Sequence, residues 1–162
     1  MPTKHILSKS ETIDAIKKGI SKVAEAVKVT LGADGETVLI GRKYNSQITK
    51  DGVSVARAIQ LTDEIEMIGA NMVKEVAEKT LKQAGDGTST GIILAQAIVE
   101  EGFKLVIAGY KGLELKKGID KAVERVLETL TKQSVTIDIS SDKLNQIAAI
   151  SANNDKVIGN TV

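Results

Sequence analysis

Two long segments with helical periodicity are joined by a short loop containing two glycines, and this loop limits how the chain can fold. It reads Gly85-Asp86-Gly87-Thr88-Ser89-Thr90 and leads directly into an apolar segment at 91–99. Glycine allows the backbone to turn where other residues cannot, and the first N–H groups of a helix have no partner inside it. We therefore expect a tight connection that begins a helix with outward-pointing backbone donors.

The residue types in this loop suit a phosphate with a bound cation. Backbone N–H groups and the helix dipole attract phosphate, and the hydroxyls of Thr88, Ser89 and Thr90 can donate further hydrogen bonds. The Asp86 carboxylate would repel phosphate unless a cation lay between them, and Mg²⁺ is usually held by one or two carboxylates plus substrate phosphates. Asp-Gly is also a common turn, and threonine or serine is a common N-cap. The loop therefore either binds Mg²⁺ and phosphate or simply caps a helix, and the run of hydroxyls favours the ligand.

Charge and composition exclude several classes of function. The 22 basic and 21 acidic residues nearly cancel, and two tyrosines and one phenylalanine are the only aromatic residues, which argues against nucleic-acid binding. Cysteine is absent, which excludes disulfides and thiolate metal sites. His5 is the only histidine and lies near the N-terminus, so we expect no histidine-based catalysis. Because no apolar run suits a signal peptide or membrane span, we expect a soluble cytoplasmic protein without a membrane partner.

Hydrophobic periodicity predicts a mainly helical chain with one small hairpin and an aliphatic core. Helices are expected from Ser8 or Ser10 to about residue 30, and over 53–61, 63–84, the segment after the glycine loop, 115–130 and 142–150. Strands are expected at 37–40, 47–49 and 135–137. The inward side chains of the helix over 63–84 are predicted to be Ile65, Ile68, Met72, Val73, Val76, Ala77 and Leu81. The helix after the glycine loop is apolar nearly all round up to Val99, so it should be central.

Three loops share an aspartate followed by glycine: Ala33-Asp34-Gly35, Lys50-Asp51-Gly52 and Gly85-Asp86-Gly87. They are either ordinary turns between helices or parts of one ligand site. In the second case Lys50 could offset phosphate charge, and Asp51 could orient a water or a second cation. Neither a Walker A motif nor Gly-x-Gly-x-x-Gly occurs, which disfavours a P-loop or Rossmann fold.

Several segments together resemble the group I chaperonins, the GroEL-type family, in order and spacing along essentially the whole chain. They are Val27-Lys28-Val29-Thr30-Leu31-Gly32, the segment Ile48 to Arg57, Val73-Lys74-Glu75-Val76-Ala77, Ala84 to Thr90, Gly118-Ile119-Asp120-Lys121-Ala122-Val123 and Ile150-Ser151-Ala152-Asn153. The resemblance implies a mainly α fold, an equatorial-domain-like helical bundle with a small β-hairpin. Residues 1–133 would form the N-terminal part of the ATP-binding equatorial domain, and 134–162 would begin the intermediate domain.

The resemblance also implies the cofactors ATP and Mg²⁺. In the family, the loops that correspond to those of Lys50 and Thr30 also help to hold K⁺. By this similarity, Asp86 would bind Mg²⁺ and Asp51 would lie near the γ-phosphate and assist hydrolysis. The residues that would line the nucleotide or wrap its phosphates are Thr30, Leu31, Gly32, Ala33, Lys50, Gly87, Thr88, Ser89 and Thr90. The family forms a homo-oligomeric double ring that folds client proteins with a co-chaperonin, and its hairpin corresponding to 37–49 reaches a neighbouring subunit.

The chain differs from the family pattern in four places. Ala33 stands where proline is usual, Gly91 stands where alanine is usual, and the hairpin at 43–47 is one residue shorter. The sequence stops at Val162, before the apical domain, the second catalytic aspartate and the returning equatorial helices of the family. We therefore expect the ATP-binding portion of a chaperonin ATPase with negligible turnover by itself. The alternatives are a shortened, non-catalytic chaperonin-like assembly module and, more remotely, an unrelated Mg²⁺-dependent phosphotransfer enzyme.

Overall fold

The computed structural model describes residues 7–32, 35–41, 46–138, 142–152 and 155–161. This part of the chain contains seven helices and one antiparallel hairpin, which confirms the mainly α prediction. In chain order they are α1 (Lys9–Lys28), β1 (Val38–Ile40), β2 (Gln47–Thr49), α2 (Gly52–Ala58), α3 (Glu64–Ala84), α4 (Thr88–Ile107), α5 (Gly112–Gln133), α6 (Asp142–Ser151) and α7 (Lys156–Gly159). The chain divides into two compact units, Met1–Gly112 and Leu113–Val162.

Helices α1 and α3 cross in backbone contact at two glycines. A Cβ atom on Gly19 would lie 1.8 Å from the Glu66 carbonyl oxygen, and one on Gly69 would lie 2.1 Å from the Ile16 carbonyl oxygen. Lys22 forms an ion pair with the Glu66 carboxylate across the same crossing. Both glycines are therefore required by the close approach of the two helices rather than by a turn.

The core of the first unit lies between α1, α2, α3 and the start of α4, and it is aliphatic as predicted. Its buried members are Ile20, Val23, Ala24, Val27, Val53, Val55, Ala56, Ala70, Val73, Ala77 and Ile92. The prediction for α3 is wrong at two positions, because Ile68 and Met72 are half exposed. Helix α3 turns its face of small residues toward α1, and the longer side chains on the neighbouring face remain at the surface.

Helix α4 is less buried than predicted. Ile92 is fully buried, but Leu94 and Ile98 are 57% and 48% exposed. The residues that join the core, Ile92, Ala95 and Val99, recur at helical spacing on one face. The uniform apolarity of α4 therefore does not make it central within the described residues, since it packs on the other helices along one stripe.

The hairpin pairs Val38 with Thr49, Leu39 with Ile48 and Ile40 with Gln47 in antiparallel register. Both predicted strands are confirmed, with β1 beginning one residue later than expected. The Leu39 and Ile48 side chains are 64% and 72% exposed on one face of the hairpin. Residues 42–45 lie outside the described residues, so the predicted shortening of this connection stays a prediction.

The regular secondary structure in the described segments of the second unit is entirely helical. Helix α6 confirms the helix predicted over 142–150, and α7 packs so closely on it that a Cβ atom on Gly159 would lie 2.5 Å from the Ala149 nitrogen. The strand predicted at 135–137 is wrong, because those residues belong to no strand. A strand requires a partner for its backbone groups, and the described part of this unit offers only helices.

Helix α5 confirms the predicted amphipathic helix but not a buried stripe. The apolar side chains at helical spacing are about two-fifths to three-fifths exposed: Ile119, Val123, Val126, Leu127 and Leu130. None of the helices in the described segments is long and apolar enough to cross a membrane. The division of the chain at 133 and 134 into chaperonin domains stays a prediction.

Candidate functional site

The end of α1, the start of α2 and the start of α4 meet at Gly52. A Cβ atom on Gly52 would lie 2.0 Å from the Ser89 Oγ atom and 3.0 Å from the Val27 Cγ1 atom. Two of the three aspartate–glycine loops predicted to converge therefore lie side by side. In the third loop, Ala33 and Asp34 lie outside the described residues, so their part in the site stays a prediction.

The chain that flanks the third loop folds back onto the end of α1. The Glu36 N–H donates to the Val29 carbonyl oxygen at 2.7 Å, and the Gly35 N–H donates to the Gly32 carbonyl oxygen at 3.1 Å. Gly32 has a φ of 86°, a conformation that favours glycine. This closure places the predicted nucleotide-lining residues Thr30, Leu31 and Gly32 directly after the last turn of α1.

Thr30 is linked to the meeting point of the three helices. Its hydroxyl donates to the Val27 carbonyl oxygen at 2.7 Å, and Val27 packs against Gly52. The Leu31 side chain is half exposed. Lys50 is also exposed and directly precedes Asp51, whose N–H donates to the Thr49 Oγ1 atom at 3.0 Å. The structure therefore brings the loops of Thr30 and Lys50 to the same end of the first unit.

The loop between α3 and α4 is built from two left-handed glycines around one carboxylate. Gly85 and Gly87 have φ values of 73° and 79°, which only glycine adopts readily. Asp86 is exposed, and its Oδ1 atom accepts the Gly87 N–H at 2.6 Å. The carboxylate is thereby turned back toward the first turn of α4.

Helix α4 begins without a side-chain cap, unlike four other helices of this chain. Its N-cap is Gly87, which makes no side-chain cap hydrogen bond. Helices α1, α2, α3 and α7 are instead capped by the side chains of Ser8, Asp51, Asp63 and Asp155. The alternative that a threonine or serine of the glycine loop serves as the N-cap is therefore wrong. Residues 88–90 lie inside the first turn, where backbone N–H groups have no intrahelical acceptor.

The Asp51 carboxylate caps α2 next to this turn. Its Oδ2 atom accepts the Ser54 N–H at 2.9 Å and the Ser54 hydroxyl, and its Oδ1 atom accepts the Val53 N–H at 3.4 Å. Partial burial would by itself raise the pKa of Asp51, but the Ser54 and Val53 hydrogen bonds and the charge of Arg57 outweigh it. The pKa of Asp51 is lowered overall, so this carboxylate is held in its ionised form.

Three residues that hold α2 in place were not predicted from the sequence. Arg57 makes a two-pronged ion pair with Glu78 of α3, with its Nη2 atom 2.9 Å from Oε2. The Lys74 ammonium of α3 donates to the Ile59 carbonyl oxygen at the end of α2. Because these partners are 15 and 21 residues apart in sequence, no local spacing signal could have revealed them.

The side chains of this site could bind Mg²⁺ only together with a ligand that supplies further oxygen atoms. Among the residues that the structure describes, no group of three or more histidine, cysteine, aspartate or glutamate side chains could enclose a metal ion. Asp86 places one carboxylate beside the uncapped start of α4. One carboxylate plus phosphate oxygens and water is an ordinary arrangement for Mg²⁺, so the residues present fit a metal brought in with a phosphate.

Comparison with solved structures defines the class of protein to which this fold belongs. The chain is similar to the chaperonin gp146 of bacteriophage EL 2 (Pseudomonas aeruginosa), crystallised in the presence of ATP-BeFx, with a TM-score of 0.78 and 32% identity over 93% of this chain and 26% of that one. A second crystal form gives a TM-score of 0.79 and 32% identity, covering 95% and 27% of the two chains. A group III chaperonin in the open state gives a TM-score of 0.77 at 22% identity, covering 93% and 30%. The fold is that of part of a chaperonin subunit.

Residues 23–162 match the family model described as the TCP-1/cpn60 chaperonin family. The chain therefore belongs to the TCP-1/cpn60 chaperonin family, and it spans 26–30% of the length of the solved chaperonins that it matches. The predicted relationship to chaperonins is confirmed. The narrower assignment to group I stays a prediction.

Proposed function

We propose that this chain is the ATP-binding portion of a group I chaperonin subunit, whose whole chain assists protein folding in an ATP-dependent double ring. The observation that carries the proposal is the start of α4. It is the helix whose N-cap, Gly87, supplies no side-chain acceptor, and Asp86 lies beside it. A helix start of this kind leaves backbone donors and a positive dipole end for phosphate.

Each predicted residue has a role in this proposal. The first turn of α4, at 88–90, holds phosphate oxygens with its N–H groups and hydroxyls, while Asp86 holds Mg²⁺ together with those oxygens. Lys50 offsets phosphate charge, and Thr30 and Leu31 line the nucleotide with Gly32 and Ala33. The loops of Thr30 and Lys50 also offer oxygens for K⁺. The metal ion, when bound, neutralises charge on the phosphates.

Asp51 is the proposed catalytic residue. Its carboxylate lies one residue before Gly52, which touches the first turn of α4. The lowered pKa of Asp51 makes it a weak proton acceptor but a constant negative hydrogen-bond acceptor. Its role is therefore to orient a water rather than to remove a proton in a stable step.

The wider role follows the family. The similar phage chaperonin gp146 was crystallised with ATP-BeFx, which supports nucleotide as the ligand of the corresponding part of this chain. On the same family relationship, we propose that the whole protein assembles into a ring in the cytoplasm. There it would bind client proteins and a co-chaperonin. Within this proposal, 1–133 belongs to the equatorial domain and 134–162 begins the intermediate domain.

The proposal is tested by Mg²⁺-dependent ADP binding to Asp86→Ala. We expect wild-type chain to bind ADP more tightly with Mg²⁺ than without it, and the variant to lose this difference while its circular dichroism spectrum is unchanged. Asp63→Ala is the matched control, because Asp63 caps α3 through two backbone N–H groups. It should lose stability and keep the Mg²⁺ effect. An equal Mg²⁺ effect in wild type and Asp86→Ala would refute the metal role, and Asp86→Asn replaces the variant if alanine unfolds the chain.

A non-catalytic assembly module is the second candidate, favoured by the exposed Leu39–Ile48 pair of the hairpin. It predicts ring-type association without phosphate release. Titration with Mg²⁺–ADP distinguishes the two, because neither candidate predicts appreciable phosphate release by this chain alone. Mg²⁺-dependent binding that Asp86→Ala abolishes supports the ATP-binding portion, and association without such binding supports the non-catalytic module.

A further inference from the structure

The two oxygens of the Asp51 carboxylate are bound unequally. Oδ2 accepts two donors from Ser54, the N–H at 2.9 Å and the hydroxyl at 2.5 Å. Oδ1 accepts only the Val53 N–H among the described contacts, and at the long distance of 3.4 Å. Since an ionised carboxylate has about four acceptor positions, Oδ2 is filled and Oδ1 retains capacity for a further donor.

Capping alone does not account for this arrangement. In α3, a single oxygen of Asp63 accepts both the Ile65 and Glu66 N–H groups, at 2.9 and 2.8 Å. In α7, a single oxygen of Asp155 likewise accepts two N–H groups, at 2.9 and 3.1 Å. At α2 the two N–H groups are divided between the oxygens, and a serine hydroxyl is added to one of them. The Ser54 hydroxyl therefore turns the carboxylate away from the geometry of the other two caps.

The backbone that carries the carboxylate is also held in place. The Asp51 N–H is held by Thr49 at the end of β2, and the next residue, Gly52, contacts Ser89 in the first turn of α4. Arg57, one turn after Ser54, adds a favourable charge and is itself clamped by Glu78. The backbone at Asp51 and Gly52 is consequently anchored by β2 and by the first turn of α4, which is proposed to hold phosphate.

We propose that Ser54 is a positioning residue, which occupies Oδ2 of Asp51 so that Oδ1 remains free to orient the water that attacks the γ-phosphate. This inference rests on the proposed ATP site. In the step it serves, the water oxygen forms a bond to the γ-phosphorus as the bond to the β–γ bridging oxygen breaks. ADP leaves with that electron pair, one water proton stays on the phosphate product and the other passes to solvent. Asp51 accepts a hydrogen bond from the water throughout.

The test compares Ser54→Ala, Ser54→Val and Ser54→Thr in the 162-residue chain. Threonine keeps the hydroxyl, and valine has a methyl group in its place with the same overall shape. This pair therefore separates the effect of the hydrogen bond from the effect of packing. Two affinities are measured for each protein: for Mg²⁺–ADP, and for Mg²⁺–ADP with aluminium fluoride, which mimics the phosphoryl group in transfer with its attacking water. We expect all variants to bind Mg²⁺–ADP within about twofold of wild type. Alanine and valine should lose roughly tenfold in affinity for the aluminium fluoride complex, the effect of about one hydrogen bond to a charged group, and threonine should retain it.

The outcomes separate this inference from the proposed function. Wild-type chain that shows no Mg²⁺-dependent ADP binding refutes the proposed function. If wild-type chain binds Mg²⁺–ADP but aluminium fluoride does not increase the affinity, the role given to Asp51 and Ser54 is overturned. The positioning role of Ser54 is also overturned if the ratio of the aluminium fluoride affinity to the Mg²⁺–ADP affinity is the same in wild type, Ser54→Thr and Ser54→Val. A lower melting temperature of Ser54→Val would not change this conclusion, because it would show a structural role alone. If alanine prevents folding, the threonine and valine pair decides.

Discussion

Among the described residues, aspartate is the N-cap of α2, α3 and α7 and directly precedes the N-cap of α4, and its hydrogen bonds distinguish these positions. Asp63 and Asp155 accept backbone N–H groups through one oxygen, as ordinary caps do. Asp51 shares its oxygens between backbone and Ser54, and Asp86 accepts only from the adjacent Gly87 among the described contacts. Asp51 and Asp86 both precede glycine, and they differ in the hydrogen bonds to the residues that follow: Val53 and Ser54 donate to Asp51, whereas Gly87 donates to Asp86.

The hydroxyls of the first turn of α4 should affect ligand binding more than stability. Because Gly87 is the N-cap and no side chain caps this helix, Thr88→Ala and Thr90→Ala should each change the free energy of unfolding by less than about 0.5 kcal/mol. Asp63→Ala, which removes a true cap, should cost about 1 kcal/mol. Urea unfolding and Mg²⁺–ADP titration of the three variants measure both quantities. Stability losses equal to that of Asp63→Ala, with unchanged ADP affinity, would favour a capping role.

Acid should destabilise the first unit through Asp51 and Glu78. Hydrogen bonds from Arg57 lower the pKa of Glu78, and the pKa of Asp51 is lowered as well. A carboxyl with a lowered folded-state pKa contributes stability above its unfolded pKa, about 4, and this contribution is lost as the pH falls through the folded value. The melting temperature should therefore decrease below about pH 4. The double variant Asp51→Asn, Glu78→Gln should show a shallower decrease, and parallel curves for the two proteins would contradict this account.

Between elements, the crossing of α1 and α3 in the first unit depends on close approach of the two backbones. Gly19 and Gly69 allow carbonyl groups of the opposite helix to approach where a side chain would otherwise stand. The helices themselves were predictable, because their stripes and caps are local features of sequence. The crossing was not, since a glycine inside a helix by itself indicates only lower helix propensity.

Replacement of Gly69 by alanine should be strongly destabilising. The new Cβ atom would lie 2.1 Å from the Ile16 carbonyl oxygen, so the helices must separate, at a cost of about 3 kcal/mol. Gly102→Ala in α4 is the matched control, because no atom outside its chain neighbours and its own helical backbone lies within 4 Å of its Cβ position. It should stabilise by about 0.5–1 kcal/mol through helix propensity. Chemical denaturation of both variants provides the comparison, and a Gly69→Ala chain as stable as wild type would show that the helices can shift freely.

At the scale of the whole chain, the largest difference between prediction and structure is exposure. Stripes at 3.6-residue spacing correctly located α3, α4 and α5, but a stripe specifies which face is apolar and not whether another element covers it. Ile68 and Met72 of α3 and Leu94 of α4 are about half exposed for this reason. The convergence of two loops on Gly52 was predictable as a hypothesis from their shared aspartate–glycine pattern. The network of Ser54, Arg57 and their partners was not.

The exposed stripe of α5 should cause self-association. Val126 and Leu130 are each 55% exposed on this helix, and exposed apolar patches of this kind promote association. We expect the chain to sediment as a concentration-dependent oligomer, and Val126→Gln with Leu130→Gln to shift it toward the monomer. Lys117→Gln with Lys121→Gln, at exposed charged positions of the same helix, should leave the distribution unchanged. Identical sedimentation of wild type and both variants would show that another surface is responsible.

The contact of Gly52 with Ser89 also sets an order of events during translation. The two residues lie on opposite sides of α3 in sequence, and Ile92 completes the core between them. A nascent chain that has exposed α1, α2 and α3 outside the ribosome still lacks the first turn of α4, so Gly52 can pack on Val27 of α1 but not on Ser89. The proposed nucleotide site therefore forms only after α4 has left the exit tunnel, because the first turn of α4 supplies the surface next to Gly52.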